Sequence, residues 1–328
     1  MALARVQEGR AGTASDGLLD CVIGHLTAIG GERHLQCHSR ALHLALLAQA
    51  YLLRCERTGN ATDAAAAVTC AQTASEAVAV DDPDHRTMLI SQAVAFMLCL
   101  RFGGGPGAVA EAVHLWGGLV DTWPEWDAEQ LPAALHNLAM ALRTHAELTG
   151  SQAGLDKAIR LHRRCLALIT RDHPLRPQAL ALLSGALRLR YENLGNLDDL
   201  DAQLRAARGA VELRATGPAM AGLAWAHLSM AHHTRYGRTG DPADLDAAED
   251  ASRAAVRLFD PRSTDRAITL ANHARLLQLR AETSRRPDDV DAALAAADTG
   301  LAAPRPQESA TSSPSPWLAL ISTSAMRC

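Results

Sequence analysis

Three features of the sequence predict an all-α fold, a right-handed solenoid of helix hairpins with a period of about 45 residues. A short pattern recurs at a constant step, the segments between its copies carry apolar residues at helical spacing, and no stretch alternates as a strand would. The clearest copy is Glu147-Leu148-Thr149-Gly150-Ser151, followed by Leu155-Asp156. It returns as Glu192 to Asn196 with Leu200-Asp201, as Gly237 to Asp241 with Leu245-Asp246, and in degraded form as Glu282 to Arg286 with Val290-Asp291. Each of these steps is 45 residues. Upstream, Glu56 to Asn60 and Phe102 to Gly105 continue the series at steps of 45 and 46, and Leu19-Asp20 falls where one more step places it. An array grows by stacking like units on one another, so a chain of 328 residues need not divide into ordinary globular domains.

Taken in order, residues 1–14 correspond by register to the end of a helix, so the array is expected to begin in mid-repeat. Either the natural chain starts upstream or this first helix is a makeshift cap. Asp16 to Ile29 reads as a helix through Leu18, Leu19, Val22, Ile23 and Leu26, and Gly30-Gly31 stops it. Six helix pairs are expected from about residue 40. First helices fall near 40–57, 85–102, 130–148, 174–193, 217–237 and 262–284, and second helices near 61–79, 106–121, 152–169, 197–214, 242–259 and 287–302. The apolar stripe of the third first helix, Leu135, Leu138, Ala139 and Leu142, is typical. Short links within a pair make its two helices antiparallel neighbours.

The turn inside each pair follows from local chemistry. Gly59, Gly104, Gly150, Gly195 and Gly240 stand where a helix ends in a left-handed residue. Asn60, Gly105, Ser151, Asn196 or Asp241 follows as the cap of the second helix. Pro106, Pro242 and Pro287 take the first helical position, where a missing N–H costs nothing. Asp63, Asp199, Asp244 and Asp289 come three residues past the cap, the capping-box place at the positive helix start.

Between pairs, Asp81-Asp82-Pro83-Asp84-His85, Arg171-Asp172-His173-Pro174 and Asp260-Pro261 carry breaker residues. Trp123-Pro124-Glu125-Trp126 either packs over an apolar edge or forms a local binding feature. The array is expected to fill 1–302. A Pro- and Ser-rich tail at 303–328 is expected to be disordered, its Trp317-to-Ile321 end being either a linker cut short of a further domain or a cap on the last helix.

The pattern Arg-Tyr-x-x-x-Gly-x-x-x-Asp-Leu-Asp at 190–201 and 235–246 resembles the long tetratricopeptide-like (TPR-like) repeats of bacterial proteins that carry a CHAT domain, as do Asp172-His173-Pro174 and Asp84-His85. The resemblance covers about residues 15–302. A typical tetratricopeptide repeat has about 34 residues, so this period implies longer helices and links. In that family the repeats precede a caspase-like protease domain with a His/Cys dyad. No segment after 302 could hold such a domain, so the resemblance implies a recognition or regulatory array and not the catalytic part.

The net charge of −4 and pI near 6.4 give no basic footprint for a nucleic acid. No run reaches the roughly 18 apolar residues of a membrane span, and no signal peptide is evident at the N-terminus. Seven scattered cysteines without a CxxC read as reduced, buried thiols, and the expected location is cytoplasmic. No cofactor is expected. HExxH, GxSxG and phosphate-cradling glycine motifs are absent from the sequence. His34, Cys37 and His38, with His43 nearby, loosely suggest a metal cluster but lack well-spaced ligands. His162 and Cys165 share a helix face without a visible oxyanion site.

The row Arg54, His145, Arg190, Arg235 and Arg280 either faces a groove and binds acidic ligands, or pairs with Asp199, Asp244 and Asp289 across the turn. Tyr191 and Tyr236, one residue later, are expected between first and second helices. First helices line the inner face of such an array. One register there contains Asn137, His227 and Asn272, and another, six residues on, contains Arg143, Arg188, His233 and Gln278, with Met140 and Met230 between the two sets. Asn can serve a peptide backbone and Arg can fork onto a carboxylate. The expected function is therefore a non-enzymatic scaffold that binds a protein or peptide in the concave groove. The alternative is the sensor portion of a CHAT-type protease or signalling protein, with a caspase-like partner. Self-association through the array ends is a third possibility.

Overall fold

The structure, a computed structural model, describes residues 16–30, 37–101, 106–213, 217–261 and 263–284. Among them the helices are α1 (Asp16–Gly30), α2 (Cys37–Thr58), α3 (Ala61–Glu76), α4 (His85–Arg101), α5 (Pro106–Asp121) and α6 (Leu131–Thr149), then α7 (Gln152–Leu168), α8 (Arg176–Leu194), α9 (Leu197–Glu212), α10 (Pro218–Thr239), α11 (Pro242–Leu258) and α12 (Thr264–Ser284). There is no strand among the described residues. The second helix expected at 287–302, the tail, Pro287, Asp289 and Gly104-Gly105 lie outside them.

The described residues fall into two compact units, α1–α6 and α7–α12, divided at the turn after Gly150. Each is an all-α solenoid stack of antiparallel hairpins. Within the first unit α3 packs on both α2 and α4, α5 packs on both α4 and α6, and α2 touches α4. Within the second, α9 packs on α8 and α10, α11 packs on α10 and α12, and the first helices α8, α10 and α12 touch in succession. Alanine permits this close approach. Ala181, Ala210 and Ala224 meet in one core cluster, and Leu204, Ala207, Leu228, Ala231 and Ala251 in the next. Tyr236 packs between α11 and α12 against Leu245, Ala248 and Leu276.

Gly59, Gly150, Gly195 and Gly240 have φ of 71°, 70°, 69° and 67°, the left-handed region that an L side chain rarely enters. Each donates its N–H back to the carbonyl four residues earlier: Cys55, Ala146, Tyr191 and Tyr236. The Asn60, Asn196 and Asp241 side chains accept from the second residue of α3, α9 and α11, and Ser151 accepts from Gly154.

The aspartates that follow do not close a capping box. Asp63, Asp199 and Asp244 are buried, and their carboxylates go to the preceding first helix. Arg54 donates to Asp63 through Nε at 2.8 Å and Nη2 at 2.7 Å, and Arg190 to Asp199 at 2.8 and 2.5 Å. Arg235 does the same to Asp244, through Nε at 2.7 and 2.8 Å. In Arg54 and Arg190 the remaining guanidinium nitrogen reaches the Leu-Asp of the previous repeat, and Arg280 of α12 also reaches the Leu-Asp of its previous repeat. Arg54 meets Asp20 at 2.7 Å, Arg190 meets Asp156 at 2.9 Å, and Arg280 meets Asp246. Of the two readings of this arginine row, the described residues follow the paired one. The clip lapses in α4 and α6, where Cys99 and His145 stand in the arginine position.

The Trp123 loop closes on itself. A short 3-10 turn, Glu125–Asp127, carries the Asp127 carbonyl that accepts from Trp123 Nε1 at 2.8 Å. The Arg86 guanidinium lies 3.8 Å from a Trp123 ring centroid and 3.4 Å from the Asp127 carboxylate. This accounts for Trp123 as a packing residue.

Candidate functional site

Only some of the residues expected on a groove face come together. Asn137 departs from expectation. It is 3% exposed in the core of α6, and its Nδ2 has no hydrogen-bond partner in the structure, so it is closed to a ligand. Its neighbours Leu135, Leu138 and Ala139 are buried too. Arg143, also in the first unit, is ion-paired with Glu147 one turn on.

The remainder lie in the second unit, on α8, α10 and α12. Arg188 donates to Glu192 at 2.6 Å. His227 packs against α8, where a Cβ at Gly185 would come within 3.1 Å of its ring. His233 Nε2 stands 3.4 Å from Arg275 Nη2. Asn272 is half-buried, and Gln278 is exposed and donates to Glu282 at 3.0 Å. Burial holds His233 below the ordinary histidine pKa. The Arg275 and Arg188 guanidiniums push it the same way, and Glu192 opposes them.

A cavity of about 40 Å³ opens at this place between α10, α11 and α12. Ala226, Met230 and Leu276 form apolar walls, Ser229, Ser252 and Thr269 contribute hydroxyls, and His233, Asn272 and Arg275 stand at the polar side. Ser229 donates to the Ala248 carbonyl at 2.7 Å and Thr269 to the Asp265 carbonyl at 2.7 Å. The Ser252 hydroxyl has no partner in the structure, although the residue is only 1% exposed.

Arg275 and the serines were not among the residues expected from the sequence. Arg275 was within reach of sequence reasoning, since it follows Asn272 by three residues and shares its helix face. Ser252 was not, because it comes from a second helix and only packing brings it to the cavity.

The chemical alternatives gain no support. Burial pushes the Cys165 thiol up to about 12, far from a nucleophile's range. Burial also raises Cys70 and Cys99. His34 and the side chains of Cys37 and His38 lie outside the described residues.

Solved structures of tandem helical repeats resemble this chain. The C-terminal part of a TPR repeat-containing protein from Cytophaga hutchinsonii matches at a TM-score of 0.50 and 11% identity, over 90% of this chain and 93% of that one. The chain has a TPR-like repeat fold. The nearly identical TPR-like repeats of a protein described as a kinesin light chain of Podosopora anserina match at 0.48 and 18% identity, over 68% of this chain and 100% of that one. BtubC from P. vanneervenii matches at 0.47 and 15% identity, over 77% and 95%. No protein-family model matches the chain, and no curated protein sequence does. Among the described residues, no helix of this TPR-like array is long and apolar enough to cross a membrane.

Proposed function

We propose that the chain is a non-enzymatic interaction scaffold and that the face of α8, α10 and α12 holds an extended segment of a protein or peptide. Stacked helical repeats present such continuous surfaces, and TPR-like folds commonly serve this purpose. One observation carries the reading. His233, Asn272 and Arg275 stand together at a cavity, and Arg188 of neighbouring α8 acts on the same His233, so polar side chains from three first helices in contact gather on one face. Arg offers a planar fork of donors, and Asn offers a donor and an acceptor to a peptide backbone. His227 and Gln278 border this face, and Arg143 holds the matching place in the first unit.

The test is a selection of binders from a random peptide library on the full chain, followed by titration calorimetry with Arg188→Ala and Asn272→Ala. Loss of about tenfold or more in affinity for each is expected for charge-assisted and amide hydrogen bonds. Selected peptides that bind both variants as well as the parent would place the interaction elsewhere.

A sensor role beside a separately encoded caspase-like protease is a second reading, supported by the repeat pattern at 190–201 and 235–246. Co-purification of such a protease with the full chain from its native cell would favour it.

A further inference from the structure

We propose that the cavity between α10, α11 and α12 receives a single carboxylate side chain, glutamate or aspartate, from the segment lying along the first-helix face. The proposal rests on the scaffold reading above and adds the chemistry of the anchor.

The observation that leads to it is a missing residue. In three copies of the repeat, the polar residue of this register is held by a glutamate one turn later on its own helix. Arg143 pairs with Glu147, Arg188 with Glu192, and Gln278 with Glu282. The register position in α10 is His233, and the residue four further on is Gly237. Of the four copies with a polar residue in this register, the one without the glutamate, in α10, lines the cavity.

Among the described residues, no other side chain supplies the missing negative charge. Arg275, an exposed cation, faces no carboxylate among the described residues, and its contact is His233. The Glu192 carboxylate, on neighbouring α8, is engaged by Arg188. Two guanidiniums thus act on His233 against one carboxylate that is already paired. Such a site favours an anion.

The dimensions suit a small one. A volume of about 40 Å³ is about three times what one water needs, enough for a carboxyl group and too little for an aromatic ring. Ala226, Met230 and Leu276 can take the methylene stem, and the unpartnered hydroxyl of Ser252 and the Asn272 amide can donate beside Arg275.

The groups that face His233 are Arg275 from α12 and Arg188 and Glu192 from α8; the cavity residues from α11 and α10, Ser252 and Ser229, are uncharged. A carboxylate seated among them raises the His233 pKa and binds more tightly as pH falls.

The experiment follows the His233 ring by NMR in the full chain while N-acetyl-glutamate methylamide is added, with N-acetyl-glutamine methylamide as the uncharged control. The glutamate probe is expected to shift the ring saturably and raise its pKa, and the glutamine probe to do neither. Arg275→Gln is expected to weaken the glutamate probe about tenfold or more. Gly237→Glu restores the missing charge on an exposed helix position where an added Cβ meets nothing. It is expected to raise the His233 pKa without ligand and to exclude the probe. Equal response to the two probes, no saturable shift at the solubility limit, or full binding by Gly237→Glu would each overturn the proposal. Library peptides that bind the α8, α10 and α12 face with no acidic preference would overturn it while leaving the scaffold reading intact. A response to the glutamate probe with no peptide selected would do the reverse.

Discussion

Arg190 joins three helices through its pairing with Asp199. From α8 its Nε and Nη2 grip both oxygens of that buried α9 carboxylate, while Nη1 holds Asp156 of α7 at 2.9 Å. The Asp199 hydrogen bond, followed by the weaker one to Asp156, raises the arginine pKa against the cost of burial. The two aspartates differ in exposure, with side chains 3% and 36% accessible. Asp199→Ala should therefore cost about 1–3 kcal/mol, because it removes both bonds to the buried carboxylate and leaves the guanidinium held by the more exposed Asp156 alone. Asp156→Ala should cost under about 1 kcal/mol. Urea unfolding of the two variants checks the order, and equal losses would mean that the clip is not governed by burial.

Gly222 in α10 is a packing requirement. A Cβ there would lie 2.9 to 3.0 Å from three ring carbons of Phe259. Phe259 is itself buried after the end of α11, so the ring cannot swing into solvent. Gly222→Ala should destabilise by about 1–3 kcal/mol through overpacking. Phe259→Leu in the same chain should recover part of that loss. A thermal melt in which the double variant is worse than the sum of the single ones would refute this contact as the cause.

His136 should contribute to acid sensitivity. Burial lowers its pKa from 6.5 to about 4 in the folded chain. The unfolded state therefore takes up the proton first, and this contribution to stability is complete above pH 6.5 and is lost as pH falls toward about 4. His136→Gln should flatten this part of the stability curve. Melting midpoints measured between pH 7.5 and 4.5 provide the check, and parallel curves for parent and variant would count against it.

Cysteine labelling should be sharply selective. Cys21 is exposed on α1, whereas Cys165 is buried and its thiol is pushed up to about 12. In the native chain iodoacetamide should label Cys21 and leave Cys165 unmodified until denaturant is added. Mass spectrometry of the digested peptides resolves the two. Rapid labelling of Cys165 without denaturant would show that α7 opens readily.

The turn chemistry was legible from sequence because it is local. A left-handed glycine, a capping side chain and a proline at the first helical position each act within a few residues, and the ends of the described helices fall within three residues of expectation. The long-range terms were harder to read. The aspartate three residues past the cap suggested a capping box, yet its carboxylate turns to an arginine nine residues back, because a guanidinium in a half-buried helix interface is the stronger partner. Asn137 and Asn272 occupy the same register position, but one is buried and the other lines a cavity. Helical period alone cannot separate them, since exposure depends on what the neighbouring helices cover.

By itself, the sequence determined the period, the hairpins and their caps, since apolar spacing and backbone preference act along the chain. Only the tertiary structure decided which aspartates each arginine joins and which polar residues of the first helices remain open. It also brought Ser252 of α11 to the cavity beside His233 and Arg275. Those outcomes depend on contacts between different helices, from nine residues apart for Arg190 and Asp199 to 42 for His233 and Arg275, where helix packing chooses among partners of equal local merit.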